Sequence, residues 1–407
     1  MSQRINFILL YYLLANGFGF SVFVTRGIIV SWYILDQTNS TLLVGLITAI
    51  PTMTLPFLSP IGGRLADSIS RKLVFFITRI AIFLILIAMA LSINLNFYSF
   101  IFLIITSVFF GLASSLEASS QQNLLIDIMG IENVSKGNGY KELFNSSLNV
   151  VLPIIVGILL TILSSSLIFW VLPVIGFLAL FFGYLLFNGF NSINSEIKEN
   201  QSFSEVTIKD SLIYIKNTEN IWILLSLGFG MMLFWAFPQP LLPLYSREIL
   251  NIGGSGYAVL SGLYFAGSMI GSILITLSII KIKSSKILII SALLFSFFVL
   301  LAYHSTSPVL CGIFILLSGI SHSAWWISML VFLQTIAKES YKGRVIGFYF
   351  GLLVSVAIGS IIGGLIAEYI GIRPTIYIAM TSLVFIHLIT FISPKFRSLN
   401  LSNKDSY

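Results

Sequence analysis

Charge is what this chain has least of. Only 9% of its 407 residues are Asp, Glu, Lys or Arg, against about 25% in a typical soluble domain. That composition excludes an ordinary water-soluble fold, which needs a charged surface. Cysteine is reduced to Cys311, inside an apolar segment, so there is no disulfide framework and nothing to read about redox compartment. The three histidines stand far apart and no cysteine or histidine has a partner at metal-ligand spacing, so no metal site is expected. No G-x-x-x-x-G-K-[ST] phosphate loop occurs, which argues against ATP hydrolysis by this chain. No nucleophile–base arrangement stands out either, so neither an enzyme nor a cofactor is expected. The net charge of +7 is scattered through short gaps and never forms a long basic, aromatic-laced run, which argues against nucleic acid as a partner.

What is present is apolar. Hydrophobic residues reach 57%, and mean hydropathy is +1.00. About a dozen apolar stretches, each roughly 20 to 30 residues long, fill residues 5–392. Each is long enough to cross a hydrocarbon core of about 30 Å as a helix. The chain therefore reads as an all-α, multi-pass protein of the cell membrane, with the lipid bilayer as its solvent. The first stretch, 5–34, is too long for a signal-peptide core and has no small-residue cleavage site before Asp36, so it is expected to stay as a membrane helix.

Breaks at charges, Pro, Gly and Asn place twelve helices near 5–35, 41–62, 73–93, 97–123, 138–163, 166–189, 220–248, 256–280, 286–304, 308–337, 345–369 and 374–393. Gaps on one side hold Arg64, Arg71, Lys72, Lys136, Lys198, Lys209, Lys216, Lys281, Lys283, Lys286, Lys338, Lys342 and Arg344. Arg4 precedes them, and Lys395, Arg397 and Lys404 follow. The other side has only Arg247 and Arg373. Cytoplasmic loops retain Lys and Arg, so both termini and the long gap are expected in the cytoplasm. The expected organisation is an N-terminal six-helix bundle over 1–190, a cytoplasmic linker over 191–219, and a C-terminal six-helix bundle with a short tail over 220–407. Within the linker, Phe203, Val206, Ile208, Leu212, Ile213 and Ile215 fall loosely at helical spacing among Lys209, Asp210 and Lys216. A helix on the membrane surface and a plain charged linker both fit that pattern.

The halves echo each other. Lys136-Gly137 opens the fifth helix and Lys342-Gly343 the eleventh, and Gly157 corresponds to Gly363; the offset is 343 − 137 = 363 − 157 = 206. A repeat of an even number of helices keeps its orientation, which relates the halves by an axis along the membrane normal, with a site expected at their interface.

Ionisable groups inside the membrane are costly unless paired or hydrated, and so mark candidate sites. Glu117 lies in the fourth helix with Gln121 at i+4 on the same face, and Arg79 enters the third helix at a similar depth. A carboxylate there serves either as a proton-coupling site or as a fixed partner of Arg79. Arg26 is ten residues before Asp36, about 15 Å below the outer surface at about 1.5 Å per residue. Its permanent charge must face water, a carboxylate or an anionic cargo, or else snorkel toward the outer headgroups or pack on carbonyls. The fifth helix carries a polar stripe, Asn138, Glu142, Asn145 and Asn149, which turns away from lipid toward neighbouring helices or a cavity. In the tenth, Ser318, His322 and Trp325 share a face with Trp326 beside it: a binding wall with a titratable imidazole, or helix packing. His387 in the last helix reads as packing. Trp235 and Gln239, near Pro238 in the seventh helix, complete the candidate substrate cavity.

The gap after the second helix reads Gly62-Gly63-Arg64-Leu65-Ala66-Asp67-Ser68-Ile69-Ser70-Arg71-Lys72. It resembles the signature loop of the major facilitator superfamily, G-x-L-A-D-R-x-G-R-K: Gly63, Leu65, Ala66, Asp67, Arg71 and Lys72 match, while Ser68 and Ser70 depart. The resemblance implies a major facilitator fold of two six-helix bundles, with Asp67 locking one transport conformation near Gly343. The plainer reading makes Arg64, Arg71 and Lys72 simple topology anchors. The segment 209–272, with Phe237-Pro238-Gln239-Pro240-Leu241-Leu242-Pro243, and the eleventh helix through Gly363-Gly364 look like the branch holding enterobactin exporters and macrolide efflux pumps, in which the position of Arg79 is also basic. The fifth helix reads Leu152-Pro153-Ile154-Ile155-Val156-Gly157, keeping Pro153 and Gly157 of an antiporter motif but replacing two of its glycines.

The resemblance implies a monomeric secondary transporter that exports amphipathic organic molecules, such as drugs, macrolides or siderophores, in exchange for protons. Proton-coupled nutrient uptake is the alternative, and a non-transporting membrane receptor is a further one.

Overall fold

The computed structural model describes residues 3–68, 70–95, 100–130, 134–190, 208–277 and 285–397. Regular structure among them is entirely helical. In chain order the helices are α1 (Gln3–Thr38), α2 (Thr41–Ser68), α3 (Arg71–Asn94), α4 (Phe100–Met129), α5 (Val134–Ile162), α6 (Val171–Phe190), α7 (Ile208–Asn217), α8 (Glu219–Ala236), α9 (Leu242–Glu248), α10 (Gly253–Thr276), α11 (Lys286–His304), α12 (Pro308–Ile336), α13 (Glu339–Gly351), α14 (Val354–Ile370), α15 (Ile372–Ile392) and α16 (Pro394–Arg397). Twelve spans among the described residues are long and apolar enough to cross a membrane, one of them running through α13 and α14.

Local chemistry sets the ends. Pro308 opens α12 at a position whose N–H would have no helical partner, and the Ser307 hydroxyl accepts from Leu310 N–H. Gly371 closes α14 at φ 85, a left-handed conformation that any side chain would strain. Two expected helices are interrupted. The stretch expected as one helix over 220–248 stops at Ala236, turns through Pro238 and Pro240, and resumes as α9, because each proline lacks the N–H that would continue the ladder. The eleventh span is broken between Gly351 and Val354. The linker segment is helical over Ile208–Asn217, where Tyr214 stacks on Tyr341 at 4.1 Å and its hydroxyl accepts from Lys338 N–H at 3.0 Å.

The helices sort into two compact units. The first comprises residues 1–39, 46–200 and 254–262. Here α1 packs against α5 and α6, and α3 against α4 and α6. Ile8, Tyr12 and Leu13 of α1, Phe75 of α3, Leu124 and Leu125 of α4 and Leu186 of α6 form a buried core. Lipid is as apolar as leucine, so the helices associate through close packing rather than hydrophobic exclusion. Gly157 shows this: a Cβ there would sit 2.9 Å from the Ser255 carbonyl oxygen.

The second unit comprises residues 40–45, 201–253 and 263–407. In it α11 packs on α12 and α15, and α8 on α14 and α15. The first turn of α2 belongs here. Thr41 Oγ1 donates to the Gly364 carbonyl at 2.9 Å, and a Cβ on Gly45 would meet the Ser360 carbonyl oxygen at 2.4 Å. Glu368 of α14 caps that turn, accepting from Leu42 N–H at 3.1 Å and from the Ser40 hydroxyl. Large apolar side chains such as Phe57, Leu84, Ile101, Ile158, Leu277, Val309 and Phe385 point outward, as lipid-facing surfaces require.

Candidate functional site

In the first unit, Arg79 of α3 and Glu117 of α4 form a buried ion pair, Nη2 to Oε1 2.5 Å, with side chains only 2% and 3% exposed. The guanidinium fits because α1 carries Gly19 opposite: a Cβ there would come within 1.5 Å of Arg79 Nη1. It also lies over the Phe75 ring, 5.0 Å from the centroid. Gln121 Nε2 donates to Glu117 Oε1, and Tyr12 of α1 donates to the Gln121 carbonyl at 2.9 Å. Three helices thus hold one carboxylate against one guanidinium, away from water. Such a pair is costly to desolvate and more costly to break by removing one partner, about 3–5 kcal/mol. Gly19 and Tyr12 were not legible as part of this group, since a glycine and a tyrosine in an apolar helix have no distinctive spacing.

Arg26, on the same α1, is 2% exposed. It donates from Nη2 to the Ser107 hydroxyl of α4 and lies over the Phe110 ring at 4.9 Å; its Nε has no acceptor. Ser21 and Thr25 of α1 and Asn145 and Asn149 of α5 each bury a side-chain oxygen with no hydrogen-bond partner. Asn145 Oδ1 faces α1, 3.9 Å from where a Cβ on Gly17 would stand. The polar stripe of the fifth helix therefore divides: Asn145 and Asn149 are buried, whereas Glu142 is exposed.

The second unit holds an aromatic cage. The His322 imidazole of α12 stacks on Trp235 of α8, centroids 5.0 Å apart and planes 13° from parallel. Tyr264 of α10, Phe295 of α11 and Trp326 of α12 surround it at 5.9, 5.8 and 6.2 Å. Trp235 Nε1 donates to the Tyr264 hydroxyl at 2.8 Å, and Trp326 continues the surface to Tyr349 at 5.4 Å. Tyr264 and Phe295 were hidden among 16 tyrosines and 35 phenylalanines.

Trp325 does not join the cage. It is fully buried on a neighbouring face of α12, donating from Nε1 to His387 Nε2 at 3.2 Å, while His387 Nδ1 donates to the Leu383 carbonyl at 2.9 Å. An indole only donates and a carbonyl only accepts, so His387 is a neutral imidazole with both nitrogens engaged. The helical step of 100° per residue separates Trp325 from Trp326, and the expectation that both line one wall is corrected accordingly. Gln239 sits exposed in the turn before α9.

In the signature loop, residues 62–68 are helical, but the side chains of Gly63, Arg64 and Asp67 lie outside the described residues, as do those of Lys136, Lys198, Lys281, Lys283, Lys395 and Lys404. Arg71 pairs with Asp127 of α4 at 2.8 Å, and Lys72 Nζ lies 5.6 Å from the Phe187 ring centroid. Gly343 is exposed in α13, with no atom within 4 Å of an added Cβ.

A family model described as Major Facilitator Superfamily matches residues 11–353 and 224–405. The chain belongs to the Major Facilitator Superfamily. As a member of it, the protein is a multi-pass membrane transporter and not an enzyme. Solved structures of superfamily transporters share its fold. A bacterial homolog of the human lysosomal transporter Spinster matches with TM-score 0.76 at 11% identity, covering 98% of each chain. A D-xylose–proton symporter matches with TM-score 0.75 at 13% identity, covering 97% of this chain and 98% of its own. A nucleoside transporter matches with TM-score 0.75 at 12% identity, covering 95% and 98%. No curated protein sequence matches. At such identities the likeness is one of fold, and this fold serves many cargoes.

Proposed function

We propose that this facilitator is a proton-coupled exporter of amphipathic small organic molecules that works by alternating access, with Glu117 as the proton site. The observation that carries the reading is the buried Arg79–Glu117 pair. A carboxylate on a membrane-spanning helix, held by one guanidinium and one amide, changes its charge balance completely when it takes a proton. Protonation releases Arg79 from its counter-ion, and deprotonation restores the pair. This couples a proton to the packing of α1, α3 and α4. His322 belongs to the substrate wall instead, because its neighbours are aromatic rings rather than charged groups.

Support for export comes from the resemblance of 209–272 and of the eleventh span to the enterobactin and macrolide exporters. The deciding experiment is flux in proteoliposomes under an imposed pH gradient, wild type against Glu117→Gln. Export predicts that cargo moves against the proton flow and that the glutamine variant loses this response while retaining counterflow. Cargo accumulating with the inflowing protons would establish uptake by symport in its place.

A further inference from the structure

Arg26 is a buried cation whose described contacts include no carboxylate. Arg79 has Glu117 and Arg71 has Asp127, whereas among the described residues no carboxylate pairs with Arg26. Its surroundings are one hydroxyl, one aromatic face and an Nε without an acceptor. The Ser107 hydroxyl that accepts its hydrogen bond already donates to the Leu103 carbonyl at 2.5 Å, so it contributes a lone pair but no negative charge. Nor does the side chain snorkel: it is 2% exposed and bonded sideways to α4. A guanidinium stays ionised at any accessible pH, and an uncompensated ion of this size in a dry interior costs several kcal/mol. The planar fork is shaped for an oxyanion, which it can hold through two parallel hydrogen bonds.

We propose that Arg26 receives an oxyanion group of the cargo, so that the transported molecule is an amphipathic organic acid, a carboxylate, phosphate or sulfonate, rather than a cationic or neutral amphiphile. This rests on the transporter reading above and narrows its substrate class. Arg26 is then a binding residue, and its isolation is the condition for a cargo to complete it.

The test is equilibrium binding and thermal unfolding of the purified full chain in lauryl maltoside. The probes are 1-naphthylacetate, 1-naphthyl phosphate and 1-naphthalenesulfonate, with uncharged 1-naphthylacetamide as control. The wild type is expected to bind at least one anion about tenfold or more tightly than the amide, a difference of about 1.4 kcal/mol. Arg26→Gln should lose that preference and keep the affinity for the amide, and Arg26→Lys should retain part of the preference. Removing an unpaired buried charge relieves its desolvation cost, so Arg26→Met without ligand should melt about 2 °C or more above the wild type.

Equal affinity for anions and amide in the wild type, no measurable binding of any anion, or a preference that survives Arg26→Gln overturns the proposal. A fall in melting temperature for Arg26→Met also overturns it, because the charge would then be a satisfied structural one. A parallel arm in nanodiscs with and without phosphatidylglycerol separates cargo from lipid: stabilisation by the anionic lipid alone assigns the site to a headgroup and overturns the cargo assignment. Binding needs no flux. An anion preference without transport in proteoliposomes therefore contradicts the transporter reading and not the site, whereas transport without the preference contradicts the site alone.

Discussion

Arg79 Nη1 occupies the space that a Cβ on Gly19 would need, 1.5 Å away, and from there the guanidinium reaches Glu117 at 2.5 Å. The geometry of the ion pair is thus set by an absent side chain on a third helix. Gly19→Ala should push the guanidinium aside, lower the melting temperature by several degrees and cut pH-driven transport at least about tenfold, since charges pulled apart are left partly uncompensated, at a cost approaching the ~3–5 kcal/mol of removing one partner. Thermal unfolding and flux check this together; wild-type values in both would show that the guanidinium has room elsewhere.

Glu117→Gln leaves Arg79 buried without its counter-ion. The expected result is a loss of stability of about 3–5 kcal/mol, together with loss of response to a pH gradient. Replacing both partners, Arg79→Met with Glu117→Leu, should recover much of the stability and none of the coupling. Denaturation and flux on the same three preparations separate the structural from the coupling role.

The cage around His322 is built from rings, so shape rather than titration is expected to govern it. His322→Phe should preserve the pH-gradient response within about twofold, while Trp235→Ala, which removes the stacked face, should weaken binding of an aromatic cargo by about 0.5–1.5 kcal/mol or more. A pH response abolished by His322→Phe would move the proton site from Glu117 to the imidazole.

Glu368 holds the first turn of α2 through the Ser40 hydroxyl and the Leu42 N–H. Glu368→Gln weakens a charge-assisted cap worth about 1.5–3 kcal/mol. Amide exchange at the start of α2 should therefore quicken in the variant while exchange in α11 stays unchanged. Equal protection in both proteins would show that backbone packing of Gly45 and Gly364 alone secures this turn.

The signature loop supplies its own prediction. If Asp67 gates a conformational step, Asp67→Asn slows turnover more than it weakens binding, and a variant with wild-type turnover removes the gating role.

The membrane class and the number of spans were legible because lipid imposes length and apolarity on every crossing, with no need to know the packing. The ion pair was partly legible: Glu117 and Arg79 are conspicuous in hydrocarbon, and the i+4 spacing brought in Gln121. Their third support, Gly19, is silent in a sequence, because a glycine that makes room looks like any other. The break between Gly351 and Val354 was hidden by continuous apolarity, which reports environment and not helical continuity, whereas Pro238 and Pro240 marked theirs inside an apolar run that was read as one helix. Trp325 was misplaced for a related reason. Neighbouring residues differ by 100° on a helix, and only the position of His387 settles which indole faces the packed interior.

The most direct test of the account is efflux from cells expressing the protein, loaded in turn with erythromycin, rhodamine 6G and 1-naphthylacetate, with and without an uncoupler, alongside Glu117→Gln. The account predicts that at least one of these probes is retained less in expressing cells, and that the uncoupler and the glutamine variant each restore retention. Efflux that persists undiminished under the uncoupler, or accumulation that rises with expression, would contradict it.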